Sequence, residues 1–261
     1  MPELPEVESY RRFLQTSALG RPIALVPHLD ASIVRHTEPA ALAAQLVGSR
    51  VIATYRHGKL AFAELSRGGH LVLHFGMTGD LKVHPPGQPP RHSRLVLDFA
   101  AGDSLAYVCI RKFGYLSLTD DPEGFVRGLG WGPDALNQLG ERTFAAGLAA
   151  TRSPVKAALL DQRRWAGIGN LYADEALFQA RIRPTTPSNR LGPRRVSRLY
   201  EAVKEVLRTA VERDADFDTY PDGYLLTNRG ADIPCARCGT GLRSAKVGGR
   251  TTIYCTRCQS K

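Results

Sequence analysis

No apolar run in this sequence approaches the roughly 18 residues that would suggest a membrane span. The acidic N-terminus lacks the basic and apolar regions of a signal peptide, so a cytoplasmic protein without a membrane partner is expected. Internal repeats and low-complexity segments are also missing, which sets aside repeat arrays and compositionally biased tails. Cysteine is scarce, at five among 261 residues, and in a reducing compartment disulfides are not expected. Acidic residues are spread evenly, and basic residues are what one region has in excess. Residues 151–261 carry 20 basic and 11 acidic side chains, against 15 and 14 in residues 1–150. The net charge of +10 is therefore concentrated in the second part of the chain. Such asymmetry points to a polyanion partner, above all nucleic acid, although a solvated basic surface has the same signature. The hydrophobic content of 43% is ordinary for a globular protein, and the length suits two compact domains or one large one.

Apolar residues at Val7, Tyr10, Leu14 and Ala18 have helical spacing between Pro5 and about Leu19, and Gly20 supplies a stop. From Ile23 to Leu118, short alternating or apolar runs are broken by glycine and proline. Arg50–Tyr55, His70–Phe75 and Leu95–Phe99 are examples, and their close spacing predicts an antiparallel β-sandwich or barrel. Pro85–Pro90 reads as a surface loop within it, and Asp120–Pro133 as its end. The helical period then returns. Pro154 opens a helix through Leu160, and Asn170 caps a second one after Gly167-Ile168-Gly169. A longer helix from Pro193 to about Arg213 aligns Val196, Leu199, Tyr200, Val203 and Leu207 on one face. A looser stretch, Asp214–Gly230, leads to a cysteine-rich tail.

Three stretches carry chemistry. The first is Met1-Pro2-Glu3-Leu4-Pro5-Glu6. Proline at position two permits removal of the initiator methionine, leaving Pro2 with a secondary amine at the N-terminus. An α-amino group titrates near about 7.7–8.0, so a fraction is unprotonated at neutral pH and attacks electrophilic carbon, as Schiff-base catalysts do. Glu3 and Glu6 place carboxylates nearby to move protons. The plainer reading, a helix start at Pro5-Glu6, leaves Pro2-Glu3 unaccounted for. The second stretch holds Cys235, Cys238, Cys255 and Cys258, two Cys-x-x-Cys pairs separated by 16 residues. That spacing predicts one tetrahedral Zn²⁺, structural because four thiolates close its shell, with a β-hairpin between the pairs. The fifth cysteine, Cys109, lies in an apolar run and reads as core. The third is Gly167-Ile168-Gly169-Asn170, which offers helix N-terminal N–H groups suited to phosphate, or is a plain glycine-rich turn.

The Pro-Glu-Leu-Pro-Glu start, the Gly-Ile-Gly-Asn-Leu-Tyr turn and the four-cysteine tail together resemble the formamidopyrimidine-DNA glycosylase and endonuclease VIII family over essentially the full length. The resemblance implies an α+β multidomain fold. An N-terminal β-sandwich with an N-terminal helix would span 1–133, a helical helix–two-turn–helix domain 134–228, and a zinc-finger β-hairpin 229–261. It implies a monomeric, nucleoid-associated DNA glycosylase and AP lyase that holds damaged duplex DNA in the cleft between domains and flips out the damaged base. Within that resemblance, Pro2 attacks the sugar C1′, Glu3 donates and accepts protons, and Glu6 supports by hydrogen bonding. Lys59 contacts phosphate and assists β-elimination, and Arg250 on the zinc finger contacts phosphate and is linked with δ-elimination. His92, Arg111, Arg152 and Lys156 fall where the family touches DNA, and Asn170 binds phosphate.

Met77, Arg111 and Phe113 match the trio with which the formamidopyrimidine branch fills the hole left by a flipped base. Without the family, Met77 and Phe113 would read as core and Lys59 as a turn residue. Val7-Glu8 also favours this branch, whose substrates are oxidised purines such as 8-oxoguanine and formamidopyrimidines. Two features depart from it. Cys109-Ile110 stands where the family has Asp-Pro, and Asp214–Arg229 is shorter than the family's lid and lacks its Tyr-Gly-Arg ending. These departures bear on 8-oxoguanine and leave ring-opened purines or oxidised pyrimidines as alternative substrates, the latter those of an endonuclease VIII-like enzyme. A lesion-binding protein that has lost catalysis is the rival from another class, against which the intact Pro2, Glu3 and Lys59 argue.

Overall fold

A computed structural model describes residues 2–260. The chain forms two compact units, one of Pro2 with Glu6–Leu129, the other of Glu3–Pro5 with the chain from Gly130 onward. Helix α1 (Leu4–Ala18) has Pro5 and Glu6 in its first turn, where a missing N–H and a negative charge are both favourable. Its Val7, Leu14 and Ala18 are buried, as the spacing predicts, and Gly20 follows in the left-handed region at φ 71°.

In the first unit, strands β1 (Ile23–Leu29), β2 (Val51–His57), β3 (Leu60–Leu65), β4 (His70–His74), β5 (Gly79–His84), β6 (Ser93–Phe99), β7 (Ser104–Cys109) and β8 (Tyr115–Thr119) make two antiparallel sheets. Helix α2 (Pro39–Leu46) sits between β1 and β2 in sequence, and α3 (Pro122–Gly128) follows β8. The sheet orders are β1-β6-β7-β5 and β2-β3-β4-β8. Alternate residues of both sheets, such as Leu95, Leu97, Leu105 and Tyr107 from one and Ala61, Ala63, Leu71 and Leu73 from the other, bury a common core. Of the sandwich or barrel that the alternating runs left open, the two separate sheets make it the sandwich. Cys109 is fully buried in this core.

The second unit is helical: α4 (Glu141–Ala149), α5 (Val155–Leu160), α6 (Asn170–Gln179) and α7 (Pro193–Glu212). Its core gathers Phe144, Trp165, Tyr172 and the buried face of α7, with Leu4 packed among them. No helix among the described residues is long and apolar enough to cross a membrane. The stretch from Asp214 to Gly230 is not loose. It makes two 3₁₀ turns, Phe217–Thr219 and Leu226–Asn228, and buries Tyr220, Tyr224, Leu225 and Leu226. The Leu226 N–H donates to Glu175 at 2.8 Å, and burial pushes that carboxyl up to about 7. Irregular spacing of these apolar residues hid their packing from a periodicity argument. A two-stranded hairpin, β9 (Arg243–Val247) and β10 (Arg250–Tyr254), closes the chain. Its turn is Gly248-Gly249, both at positive φ, as a two-residue hairpin loop requires.

Candidate active site and nucleic-acid interface

In the second unit the decisive side chain is Glu3, buried at 1% exposure. Its carboxylate accepts the Leu171 N–H at 2.9 Å and the Tyr172 N–H at 3.3 Å, and the Leu4 N–H donates to the Gly167 carbonyl at 3.1 Å. Glu3 therefore satisfies the free amides at the start of α6 and lies at the positive end of the helix dipole. This corrects the reading of Asn170 as the cap. Gly169 occupies the N-cap position, no side chain of α6 caps it, and Asn170 is the first helical residue. Gly169 is needed because a Cβ there would collide with the Glu3 carboxyl. The glycine-rich turn thus serves the close approach of Glu3, and two of the N–H groups offered for phosphate are taken by it. The Asn170 side-chain oxygen is buried with no hydrogen-bond partner among the described residues.

In the first unit Pro2 is half-buried just ahead of α1, and Glu6 lies one turn along that helix. Lys59 sits in the tight turn between β2 and β3, preceded by Gly58 at φ 56°. The turn is pinned by Arg56, which donates to the Gly58 carbonyl at 2.9 Å and pairs with Glu8 of α1 at 3.3 Å. In the sequence Glu8 serves only with Val7 as a marker of the branch, and Arg56 is not singled out. Nothing in their spacing marks a residue that acts by holding a neighbouring turn.

Met77, Ile110 and Phe113 are among the exposed large apolar side chains, at 38%, 58% and 51%. The loops that carry them meet at Gly76, where φ is 58° and a Cβ would strike the Phe113–Gly114 backbone. The Arg111 N–H donates to Thr78 at 3.0 Å, and its guanidinium lies 4.9 Å from the Phe113 ring centroid. Lys112 turns away to pair with Asp30 at 2.8 Å. That contact and the Ser32 hydroxyl hold the Asp30 carboxyl far below the usual carboxylate range. Arg111 has no such ion pair among the described residues and is left to project with Phe113. His92, in the left-handed region at φ 65°, is joined to the same corner by its carbonyl, which accepts the Cys109 N–H at 3.1 Å.

The four tail cysteines converge, their sulfurs all within 4.8 Å of one another. Cys238 Sγ is 3.5 Å from Cys255 Sγ, and Cys235 Sγ is 3.9 Å from Cys258 Sγ. A tetrahedral zinc with bonds of about 2.3 Å sets its sulfurs about 3.8 Å apart, whereas a disulfide needs about 2.05 Å. The donor set fits zinc and leaves no open coordination position.

Three family models match in chain order. The formamidopyrimidine-DNA glycosylase N-terminal domain matches residues 1–116, the formamidopyrimidine-DNA glycosylase H2TH domain residues 129–220, and the zinc finger found in FPG and IleRS residues 232–261. A formamidopyrimidine-DNA glycosylase of Thermomicrobium roseum is 38% identical over 293 residues, with 99% of each chain covered. The chain belongs to the formamidopyrimidine-DNA glycosylase family.

Solved members of that glycosylase family share the whole fold. The Lactococcus lactis Fpg (MutM) protein bound to DNA containing N7-benzyl-Fapy-dG superposes with TM-score 0.89 at 28% identity, covering 100% of both chains. A MutM protein bound to DNA containing carbocyclic 8-oxo-G superposes with TM-score 0.91 at 29% identity, again over 100% of both. The glycosylase zinc finger and the four-sulfur cluster together assign one structural zinc. Arg152 is exposed near the start of α5, and Arg250 is exposed beside the Gly248-Gly249 turn at the hairpin tip. Lys156 differs from expectation. Its side chain is fully buried and pairs with Asp174 at 2.7 Å, so its ammonium is not offered at a glycosylase surface. Sequence placed it correctly on α5 but could not tell which face of that short helix is inward.

Proposed function

We propose that this protein is a bifunctional DNA glycosylase and AP lyase that removes oxidised purines from duplex DNA and then cleaves the strand by β,δ-elimination. The reading rests first on Glu3, a carboxylate buried and fixed by two backbone N–H groups in the residue next to Pro2. The Pro2 nitrogen lone pair attacks C1′, and the glycosidic bond breaks with its electron pair leaving on the base. The Pro2 nitrogen sheds its proton and Glu3 protonates O4′. The C1′–O4′ bond then breaks with its electron pair on O4′ as the nitrogen lone pair closes the C1′=N bond, leaving the Schiff base and a free 4′-hydroxyl. Lys59, held in its turn by Arg56, serves phosphate binding and β-elimination. Arg250 provides a planar guanidinium for the phosphate lost in δ-elimination, a bidentate task that suits arginine better than lysine. Glu6 supports Pro2, and His92, Arg152 and Asn170 contact the DNA backbone. The substrate class agrees with the lesions in the complexes of the similar structures, N7-benzyl-Fapy-dG and carbocyclic 8-oxo-G. The functional parts are a catalytic sandwich at 1–133, a DNA-binding helical part at 134–228 and the finger at 229–261, acting as a monomer on nucleoid DNA.

Borohydride tests the covalent step. A trapped protein–DNA adduct is expected on a duplex with an abasic site, and peptide mapping should place it on Pro2. An adduct on an internal lysine overturns the assignment. A non-catalytic lesion binder would yield no adduct.

Arg111 and Phe113 should read the strand opposite the lesion in different ways. Flipping a base leaves its partner's hydrogen bonds unmet, and Arg111 donates to cytosine O2 and N3 but has no acceptor for the amino group of adenine. Bidentate readout of this kind is worth about 1–3 kcal/mol, so a preference for opposing C over A of roughly ten- to a hundredfold is expected. Arg111→Ala should flatten it. Phe113→Ala should lower excision opposite every base, because stacking does not depend on hydrogen-bond pattern. Single-turnover excision opposite C, A, G and T measures both. Retention of the preference in Arg111→Ala removes that role.

A further inference from the structure

The side chains of Lys156 on α5 and Asp174 on α6 are both fully buried, with Nζ 2.7 Å from Oδ1. Burial lowers the Lys156 pKa, and the Asp174 charge opposes that shift. The other oxygen of Asp174 accepts from Arg229 Nη2 at 2.6 Å and Nε at 3.2 Å, and from the Ile253 N–H at 3.1 Å. Lys156 also donates to the Thr252 hydroxyl at 2.8 Å and the Thr251 carbonyl at 3.1 Å, and Arg229 reaches that carbonyl at 3.3 Å. The contacts that this trio makes with β10 fall on residues 251–253, directly after Arg250.

A two-stranded hairpin alone is marginally stable and has two open edges. The Thr251 carbonyl and Ile253 N–H are two residues apart and so face one edge of β10. The three side chains meet those backbone groups as a further strand would. Stability does not explain the choice of charges, since an apolar replacement of a buried ion pair is often neutral or stabilising. What an ion pair with directional hydrogen bonds adds is a defined register and position. Asp174 stands one turn beyond Asn170 on the helix whose first amides bind Glu3.

We propose that Asp174, with Lys156 and Arg229, is a positioning node for Arg250, fixing β10 on α5 and α6 and so deciding how far strand cleavage proceeds beyond β-elimination. The inference rests on the proposed role of Arg250 in δ-elimination. Displacing the guanidinium by about an ångström would slow its step by roughly ten- to a hundredfold. Base loss and Schiff-base formation, which do not use Arg250, would continue.

The experiment compares the full-length zinc-loaded wild type with Asp174→Asn, Asp174→Glu, Arg229→Gln and Arg250→Ala on a duplex bearing a preformed abasic site. Zinc content, borohydride trapping and the ratio of δ- to β-elimination products are measured. Asp174→Asn leaves the buried Lys156 without its counter-charge and is sensitive to misfolding. Arg229→Gln removes a partly exposed arm of the node and keeps the test decisive. The expected result is full zinc content, trapping within about twofold of wild type, and a δ-to-β ratio lowered about tenfold or more in Asp174→Asn and Arg229→Gln. Asp174→Glu, which keeps the charge, should recover part of the ratio. A normal ratio in zinc-loaded Arg229→Gln and Asp174→Asn, with a depressed one in Arg250→Ala, overturns the node and leaves the reading of Arg250 standing. A normal ratio in Arg250→Ala overturns both.

Discussion

Replacing Glu3 by glutamine is expected to lower base excision by about 10²–10⁴-fold, the usual contribution of a positioned proton-transfer group. An amide cannot exchange the proton that sugar opening requires. It also fits its surroundings poorly. The carboxylate now receives N–H groups from both Leu171 and Tyr172, one on each oxygen. A glutamine places its own N–H₂ against one of those donors, leaving a buried amide without an acceptor at a cost of about 1–3 kcal/mol. Cleavage at a preformed abasic site, where the base is already gone, should suffer less. Gly169→Ala supplies an independent test through geometry, because the added methyl occupies the space of the Glu3 carboxyl. Its excision rate should fall with Glu3 chemically intact and with α6 folded by circular dichroism. Single-turnover kinetics on a lesion duplex and on an abasic duplex separate the two steps. Normal excision by either variant removes Glu3 from the reaction as described.

Loss of the zinc should produce the second large effect. The core beneath the hairpin is small, comprising Phe178, Leu225, Leu242 and Ile253 with buried Cys235 and Cys255. Structural zinc contributes about 10–16 kcal/mol of apparent binding free energy in small fingers, far more than so few apolar contacts supply. Cys238→Ser should therefore release the metal and unfold the β9–β10 hairpin. The sandwich of the first unit has its own core and should keep its structure. Arg250 lies beside the hairpin turn, so the phosphate contact proposed for it is lost with the fold. One charge-assisted contact of about 1.5–3 kcal/mol corresponds to roughly ten- to a hundredfold in affinity for an abasic duplex. Zinc content by atomic absorption, circular dichroism and equilibrium binding give the three readouts. Unchanged DNA affinity in a demonstrably zinc-free protein would refute the role given to the finger.

The legible parts of this protein were those in which chemistry or periodicity is local. The four cysteines name their metal because zinc ligation demands soft donors at short spacing, and the structure brings their sulfurs together. Helix α7 follows from the register of Val196, Leu199, Val203 and Leu207, and the strands of the sandwich from alternating runs in the first unit. The family resemblance reached further. It singled out Met77 and Phe113, which composition alone assigns to the core and which the structure exposes.

Other features belong to tertiary structure because their partners are far apart in sequence. Glu3 and Leu171 are separated by 168 positions, so no local pattern says that the acid beside Pro2 caps α6 or that Gly169 is small for its sake. Lys156 is an instance of the same limit. A lysine on a short helix is read as exposed because burying its charge is expensive, and only the carboxylate of Asp174 on the next helix offsets that expense. Likewise Asp214–Gly230 lacks any period, yet Tyr220, Tyr224 and Leu226 find apolar surface once α6 and α7 are in place. The amino-acid sequence by itself determined the metal, the main strands and helices and the kind of chemistry, since these depend on side-chain identity and short-range spacing. The short helices α2 and α3, within stretches read as strand or loop, were not legible. The tertiary structure decided which charges are buried, which amides are taken and which glycines are obligatory, since those depend on what is packed alongside.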